Sequence, residues 1–171
     1  MFNRKILLIG IIVTVFLLTQ IASAIPAINK AQGSGSEYYY DEENGVTYAY
    51  KYTFSVKQLD DNNNGKGVFN VTTWIVENPT ELNYYMKCKV DYVQIEGNRA
   101  IFAGFITDST VEPGYAGQVG HYMGLYATDN SPDRVSFVLS NNKEPVISSL
   151  NYWLENNIVQ PALDQGHIKI V

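Results

Sequence analysis

The sequence predicts an all-β fold, an antiparallel meander that forms a small barrel or a sandwich, with one short C-terminal helix. Apolar and polar residues alternate along much of the chain after residue 47, and short polar turns separate the alternating runs. Consecutive hairpins favour the barrel slightly, because an up-and-down path closes without long crossover connections. The sequence alone leaves barrel and sandwich open.

The alternation divides the chain into six or seven strands, at residues 47–58, 66–77, 83–95, 99–107, 117–128, 133–140 and 167–171. The clearest hairpin turns at Glu96–Asn98, and in the run before it Met86, Cys88, Val90 and Tyr92 alternate with polar residues. Helical spacing of apolar residues predicts the one helix over Pro145–Ile158. No repeat and no second domain are evident, so a single β domain is expected over residues 47–171.

The first 24 residues read as a secretory signal peptide. Arg4 and Lys5 precede an apolar run over residues 6–18, and Ala22 and Ala24 fit a cleavage site. The run is short for a membrane span, although counting on to residue 24 nearly reaches the roughly 20 residues that a span needs. We therefore expect a secreted or cell-surface protein. It would contact the membrane only through residues 6–24, if that segment is kept as an anchor.

Residues 25–46 are predicted to be a flexible, acidic, Tyr-rich lead-in, because they show glycine, serine and acids without an apolar period. The whole chain carries 12 basic and 17 acidic residues. That balance excludes nucleic acid as a partner, since binding phosphates requires a positive field. The single cysteine, Cys88, cannot close an intramolecular disulfide and is expected to be a buried thiol.

The predicted core is walled by large residues of the alternating runs: Tyr50, Phe54, Trp74, Val90, Phe105, Phe137 and Leu139. The chain contains 13 tyrosines, and several share a face with Phe54, so the plainest interpretation places them in the core. If the interior is not filled, the same rings could shape a small-ligand cavity, as in some eight-stranded barrels.

The turn "DDNNNGKG" at residues 60–67 has the opening pattern of an EF-hand calcium loop. Its twelfth position is Val71, inside a predicted strand, where an EF-hand needs a bidentate carboxylate. We therefore interpret the stretch as an Asn-Gly hairpin turn. The alternative is a looser calcium site assembled from the acids of two turns: Asp60, Asp61, Asp129 and Asp133.

Signatures of catalysis are sparse. His121 and His167 are the two histidines, and neither belongs to a metal-ligand spacing. The sequence contains no G-x-S-x-G elbow, phosphate loop or dinucleotide fingerprint, and no catalytic residue is assigned. One modification site is indicated, because Asn70 begins the N-glycosylation sequon "NVT" on a predicted strand.

A resemblance rests on three stretches: "CKVDYVQIEGNRAIFAGFIT", the later "DNSPDR" and the terminal "GHIKIV". In this order they resemble a recurring uncharacterised all-β module of secreted bacterial and archaeal surface proteins, over roughly residues 47–171. The resemblance implies export and an all-β fold. It carries no catalytic residue to this chain.

The leading hypothesis is an exported, non-enzymatic cell-surface or extracellular β module with a binding or structural role. Its partner would be a cell-surface component, either a glycan or a protein. The second hypothesis is a barrel that carries a small apolar or aromatic ligand. The third is a hydrolase with an unrecognised carboxylate site, which needs two acids facing each other across a cleft. No cofactor is expected, apart from calcium at the acidic turns.

Overall fold

The computed structural model describes residues 29–171, without the side chains of residues 79–83. The predicted signal peptide, residues 1–24, lies outside the described residues. Within the described part, the elements follow in the order β1 (Lys30–Asp41), β2 (Val46–Gln58), β3 (Asn64–Ile75), β4 (Asn78–Glu96), β5 (Arg99–Ser109), β6 (Tyr122–Thr128), β7 (Arg134–Ser140), α1 (Lys143–Glu155) and β8 (Gln165–Ile170). No helix in residues 29–171 has both the length and the hydropathy of a membrane-spanning helix.

The strands form one antiparallel sheet, in the order β7-β6-β5-β4-β3-β2-β1-β8. β1 to β7 are an up-and-down meander, and β8 follows the helix and pairs with β1. The sheet curls into a half-barrel. The predicted all-β meander with one C-terminal helix is therefore confirmed, and the single curled sheet follows the barrel path.

β1 corrects the prediction that residues 25–46 are a flexible lead-in. Residues 30–41 are a strand that pairs with β2 along its whole length. The apolar period is missing because glycine occupies inward positions of this strand. A Cβ on Gly33 would lie 2.9 Å from Cζ of Phe54, so a ring from β2 already fills that space.

The inner face of the curled sheet carries the main core, to which all eight strands contribute. The ring of Phe102 lies 5.0 Å from that of Phe54 and 5.4 Å from that of Phe69, measured between centroids. Such tilted and edge-on contacts add to the stabilisation from burial. Cys88 lies in this core as a buried thiol, as predicted, and burial raises the pKa of the thiol.

The helix covers part of the outer face of the sheet. Val146, Leu150 and Leu154 lie on one stripe of α1 and pack against a patch of β5 and β6 that includes Ile101 and Tyr126. This second core is separate from the inner one, because residues alternate between the two faces of each strand. The predicted helix is confirmed, with bounds shifted toward the N-terminus.

Five of the predicted core residues belong to the inner core or pack against it: Tyr50, Phe54, Val90, Phe137 and Leu139. The prediction was wrong for Trp74 and Phe105, which are half-buried and belong to neither core. Phe105 stands opposite Lys89 on the neighbouring strand, whose Nζ lies 5.9 Å from the ring centroid. Its strand alternates, so this ring faces away from the half-barrel interior.

Candidate ligand cavity

The two ends of the half-barrel differ. Alternate connections of a meander share an end, because each antiparallel strand reverses direction. The β2–β3, β4–β5 and β6–β7 connections lie at one end, which we call the closed end. The β1–β2, β3–β4 and β5–β6 connections lie at the other, which we call the open end. The last of these is the loop of residues 110–121.

Two carboxylates hold β8 at the closed end. Asp133 Oδ2 accepts a hydrogen bond from the backbone N–H of Ile168 at 2.7 Å, and Asp129 Oδ2 accepts one from that of Ile170 at 3.1 Å. β8 therefore has the backbone of β1 on one side and side-chain acceptors on the other. We call Asp129 and Asp133 the carboxylate clamp. They satisfy amide groups that an edge strand would otherwise leave unpaired.

At the open end the sheet is not closed in this way. β8 pairs with residues 31–36 of β1, and no described strand covers the outer edge of residues 37–41. One amide of that edge, at Tyr38, donates to the carboxylate of Asp164 at 2.9 Å. β8 therefore stops before the open end, where the last residues of β1 form an edge that no described strand covers.

A cavity of about 720 Å³ occupies the open end. The sheet contributes six lining residues: Tyr50, Thr73, Tyr84, Met86, Phe137 and Leu139. The β5–β6 loop supplies the remaining wall through residues 110–112, Tyr115 and Ala116. Phe137 lies where the packed core meets the cavity, with its ring centroid 6.0 Å from that of Tyr50 and 6.2 Å from that of Tyr52. The interior is therefore filled at one end and open at the other.

One row of side chains crosses four strands, and three of its four members line this cavity. Glu37 is directly opposite Tyr50, Tyr50 is opposite Thr73, and Thr73 is opposite Tyr84. Residues directly opposite each other in antiparallel strands have their side chains on the same face. The register therefore places the Glu37 carboxylate beside the aromatic lining, on the inner face.

Glu37 is held by Tyr52 in surroundings that disfavour its charge. The Tyr52 hydroxyl donates to Glu37 Oε1 at 2.5 Å, while the shielded Oε2 has no hydrogen-bond partner among the described residues. Burial raises the pKa of Glu37, and the nearby Asp164 adds to the rise, against the opposing effect of the Tyr52 hydrogen bond. Burial also raises the pKa of Tyr50, and Glu37 is the largest charged contributor to that shift.

The loop wall of the cavity is anchored at several points. Ser109 Oγ donates to the carbonyl of Gly117 at 2.8 Å and accepts from the amide of Val111 at 3.0 Å. Thr110 Oγ1 accepts from the amide of Tyr85 at 2.8 Å, which ties the loop to β4. Gly114 donates to the side chain of Gln118 at 2.7 Å. These contacts preorganise the wall in the form that lines the cavity.

A second, outer groove of about 550 Å³ lies on the convex side of β2 to β5. Its charged lining is basic throughout: Lys57, Lys66, Lys87 and Lys89. No ion pair within 4.0 Å involves these lysines in the described part of the chain. Lysines therefore line the outer groove, whereas the carboxylate of Glu37 lies beside the inner cavity.

The stretch at residues 60–67 forms most of the β2–β3 hairpin turn and the first four residues of β3. Asp60 Oδ1 accepts from the amides of Asn62 and Asn64 at 2.9 and 3.1 Å, and Asp60 Oδ2 accepts from the Asn64 side chain at 2.7 Å. The Asn64 side-chain hydrogen bond is the main reason that the pKa of Asp60 is lowered. Asn63 takes the left-handed conformation with φ of 61°. Asp61 is an exposed residue of the same turn.

The other two calcium candidates form the carboxylate clamp. Asp129 and Asp133 bind backbone amides of β8, and His167 Nδ1 lies 3.4 Å from Asp133 Oδ2. Nowhere in residues 29–171 do three His, Cys, Asp or Glu side chains converge as a metal site would require. The structure thus gives Asp60, Asp129 and Asp133 roles in hydrogen bonding to the backbone.

The remaining candidate residues lie apart from the cavity lining. Asn70 is half-buried on β3 and donates through Nδ2 to Thr53 Oγ1 at 3.1 Å. His121 precedes β6, whereas the sequence placed it inside a strand, and its Nε2 lies 2.7 Å from Gln118 Nε2. His167 is 78% exposed in its side chain.

Three residues in or beside the cavity had no role assigned from the sequence: Glu37, Glu112 and Tyr115. Glu37 was assigned to the lead-in, and Glu112 and Tyr115 lie in the β5–β6 loop, of which only residues 117–121 had been predicted to be strand. A signal for Glu37 was available, since "NG" at residues 44–45 marks a hairpin between two runs, and Gly45 has φ of 65°.

Comparisons of this chain with family models, curated proteins and solved structures find no match.

Proposed function

We propose that this protein is an exported, non-enzymatic binding protein that holds a small, largely aromatic or apolar ligand in the open-end cavity. The observation that carries the proposal is the cavity of about 720 Å³ in a half-barrel whose other end is packed. Its volume is within the range of about 300–1,000 Å³ that is usual for small-molecule sites. Export is supported by the sequence pattern of residues 1–24.

The lining suits such a ligand. Tyr50, Tyr84 and Phe137 offer flat apolar faces, and Met86 is a side chain that adapts to the shape of a ligand. Thr73 adds a hydroxyl among these apolar groups, although it is almost fully buried. A few polar groups in an apolar lining fix the orientation of a ligand, while the apolar surface supplies most of the affinity.

A neutral dye tests the proposal. N-phenyl-1-naphthylamine fluoresces more strongly in apolar surroundings, and we expect saturable binding to the full-length chain with one site. The variant Ala116→Trp places an indole in the wall of the cavity and should abolish this binding. Val119→Trp is the matched control, because Val119 is an exposed residue of the same loop outside the lining, and it should bind as the parent does.

Two results would contradict the proposal. One is the absence of saturable dye binding to the parent chain. The other is equal binding to the parent and to Ala116→Trp, which would locate the dye elsewhere on the chain.

A further inference from the structure

The ligand class can be narrowed by the charges around the cavity. Four aromatic rings line it, from Tyr50, Tyr84, Tyr115 and Phe137, and no lysine, arginine or histidine of residues 29–171 does. The faces of such rings are electron-rich and attract cations, most strongly where water is excluded. Glu112, the one charged residue among the described side chains of the lining, is an acid.

The rim of the cavity is also acidic. The three connections of the open end carry four acids, Glu42, Glu43, Glu77 and Glu112, and Asp41 ends β1 beside them. These connections, residues 42–45, 76–77 and 110–121, contain no lysine and no arginine. A concave site rimmed by one sign of charge raises the local concentration of ligands of the opposite sign. The basic groove, in contrast, lies on the convex side of the sheet.

Glu37 supplies a charge inside this rim. It is directly opposite Tyr50, a lining residue, on the neighbouring strand, and its Oε2 is shielded from solvent without a partner among the described residues. Because that oxygen is shielded, Glu37 would attract a cation in the cavity through its electric field across the Tyr50 side chain, without direct contact. Tyr52 holds the other oxygen, which fixes the orientation of the carboxylate.

We propose that the cavity binds an organic cation of the quaternary-ammonium class, with the rings of Tyr50, Tyr84 and Phe137 around the alkylammonium group and Glu37 as its counter-charge. This inference rests on the proposed function of the same cavity. An ammonium group without N–H hydrogens needs no hydrogen-bond acceptor, so aromatic faces and one nearby carboxylate satisfy it. A ligand with an anionic group would be repelled by the carboxylates of the rim and of Glu37.

The test compares two ligands of the same shape. Choline and its neutral isostere 3,3-dimethylbutan-1-ol are titrated against the full-length chain loaded with N-phenyl-1-naphthylamine. We expect choline to displace the dye at a concentration about tenfold lower than the isostere, the ratio that 1.4 kcal/mol produces. Equal displacement by the two ligands, or displacement by the isostere alone, would overturn the inference. Dye binding itself is the readout of the proposed function, so the two failures are distinguishable.

Two pairs of variants assign the preference to the residues. Glu37→Gln should remove most of the choline preference, whereas Glu43→Gln, in the exposed β1–β2 turn, should keep it. Tyr50→Leu should reduce the preference because it removes a ring, and Tyr50→Phe should retain it because the ring face remains. An unchanged ratio of choline to isostere affinity in both Glu37→Gln and Tyr50→Leu would contradict the assignment, even if both ligands bind.

Discussion

The carboxylate clamp is expected to be one of the most sensitive points of the fold, and Asp133→Ala is the substitution that tests it. Asp133 Oδ2 accepts from the N–H of Ile168 at 2.7 Å, and its Oδ1 accepts from the N–H of Asn130 at 3.0 Å. The Asp133 side chain is 9% exposed, and Ile168 is 0% exposed. Removing the carboxylate therefore leaves a buried donor without an acceptor.

The cost follows from these two hydrogen bonds. An unsatisfied buried N–H costs about 1–3 kcal/mol, and the loss of the more exposed bond to Asn130 adds about 1 kcal/mol. The contact with His167 adds little, because that side chain is 78% exposed. We expect Asp133→Ala to lower the free energy of unfolding by about 3 kcal/mol. Asp133→Asn should lose less, since its amide oxygen still accepts one bond.

Urea unfolding followed by tryptophan fluorescence measures the change. The matched control is Asp61→Ala, an exposed acid of the β2–β3 turn, for which we expect a change within about 0.5 kcal/mol. Hydrogen exchange adds a local readout, because the amide of Ile168 should exchange faster in Asp133→Ala. A loss no larger than that of Asp61→Ala, with unchanged exchange at Ile168, would refute the role assigned to the clamp.

Three further predictions concern the cores and the cavity. Leu150→Ala should cost about 3 kcal/mol of unfolding free energy, because Leu150 is fully buried between α1 and the sheet, whereas the exposed Tyr152→Ala should change little. Cys88 should not react with Ellman's reagent in the native state and should react after denaturation, since burial raises the pKa of its thiol; native-state reaction would contradict its burial. Glu37→Gln should be more stable than the parent at neutral pH, because burial raises the pKa of Glu37 and folding therefore opposes its ionisation. The difference in unfolding free energy between Glu37→Gln and the parent should disappear as the pH falls below 4.5, the ordinary pKa of a glutamate. Urea unfolding at neutral and at acidic pH measures this difference, and a constant difference would contradict the reasoning.

The fold was predictable where each strand carries its own alternation. The β4–β5 hairpin turns at Gly97, β4 alternates apolar and polar residues before it, and β5 is rich in apolar residues, so the turn and both strands were found. β1 was missed because its inward positions include Gly33, whose space is filled by Phe54 from β2. A strand whose packing is supplied by its neighbours leaves no apolar period in its own sequence.

The candidate site was less predictable, since it depends on which residues the curled sheet brings together. Tyr50 and Phe137 are far apart in the sequence, and both were predicted to be core residues. The curled sheet brings them together at the open end, where the β5–β6 loop completes the lining and β8 pairs only with residues 31–36 of β1. The length of a strand pairing is a tertiary property, so alternation alone does not indicate where a barrel interior stays open.

The central claim is that the open end of the half-barrel binds a small ligand, and nuclear Overhauser effects from bound N-phenyl-1-naphthylamine test it most directly. We predict contacts from the dye rings to the methyl groups of Met86 and Leu139, which line the cavity, and none to those of Met123, in the packed core. Contacts to the methyl groups of Val68 instead would locate the dye in the outer groove and contradict the claim.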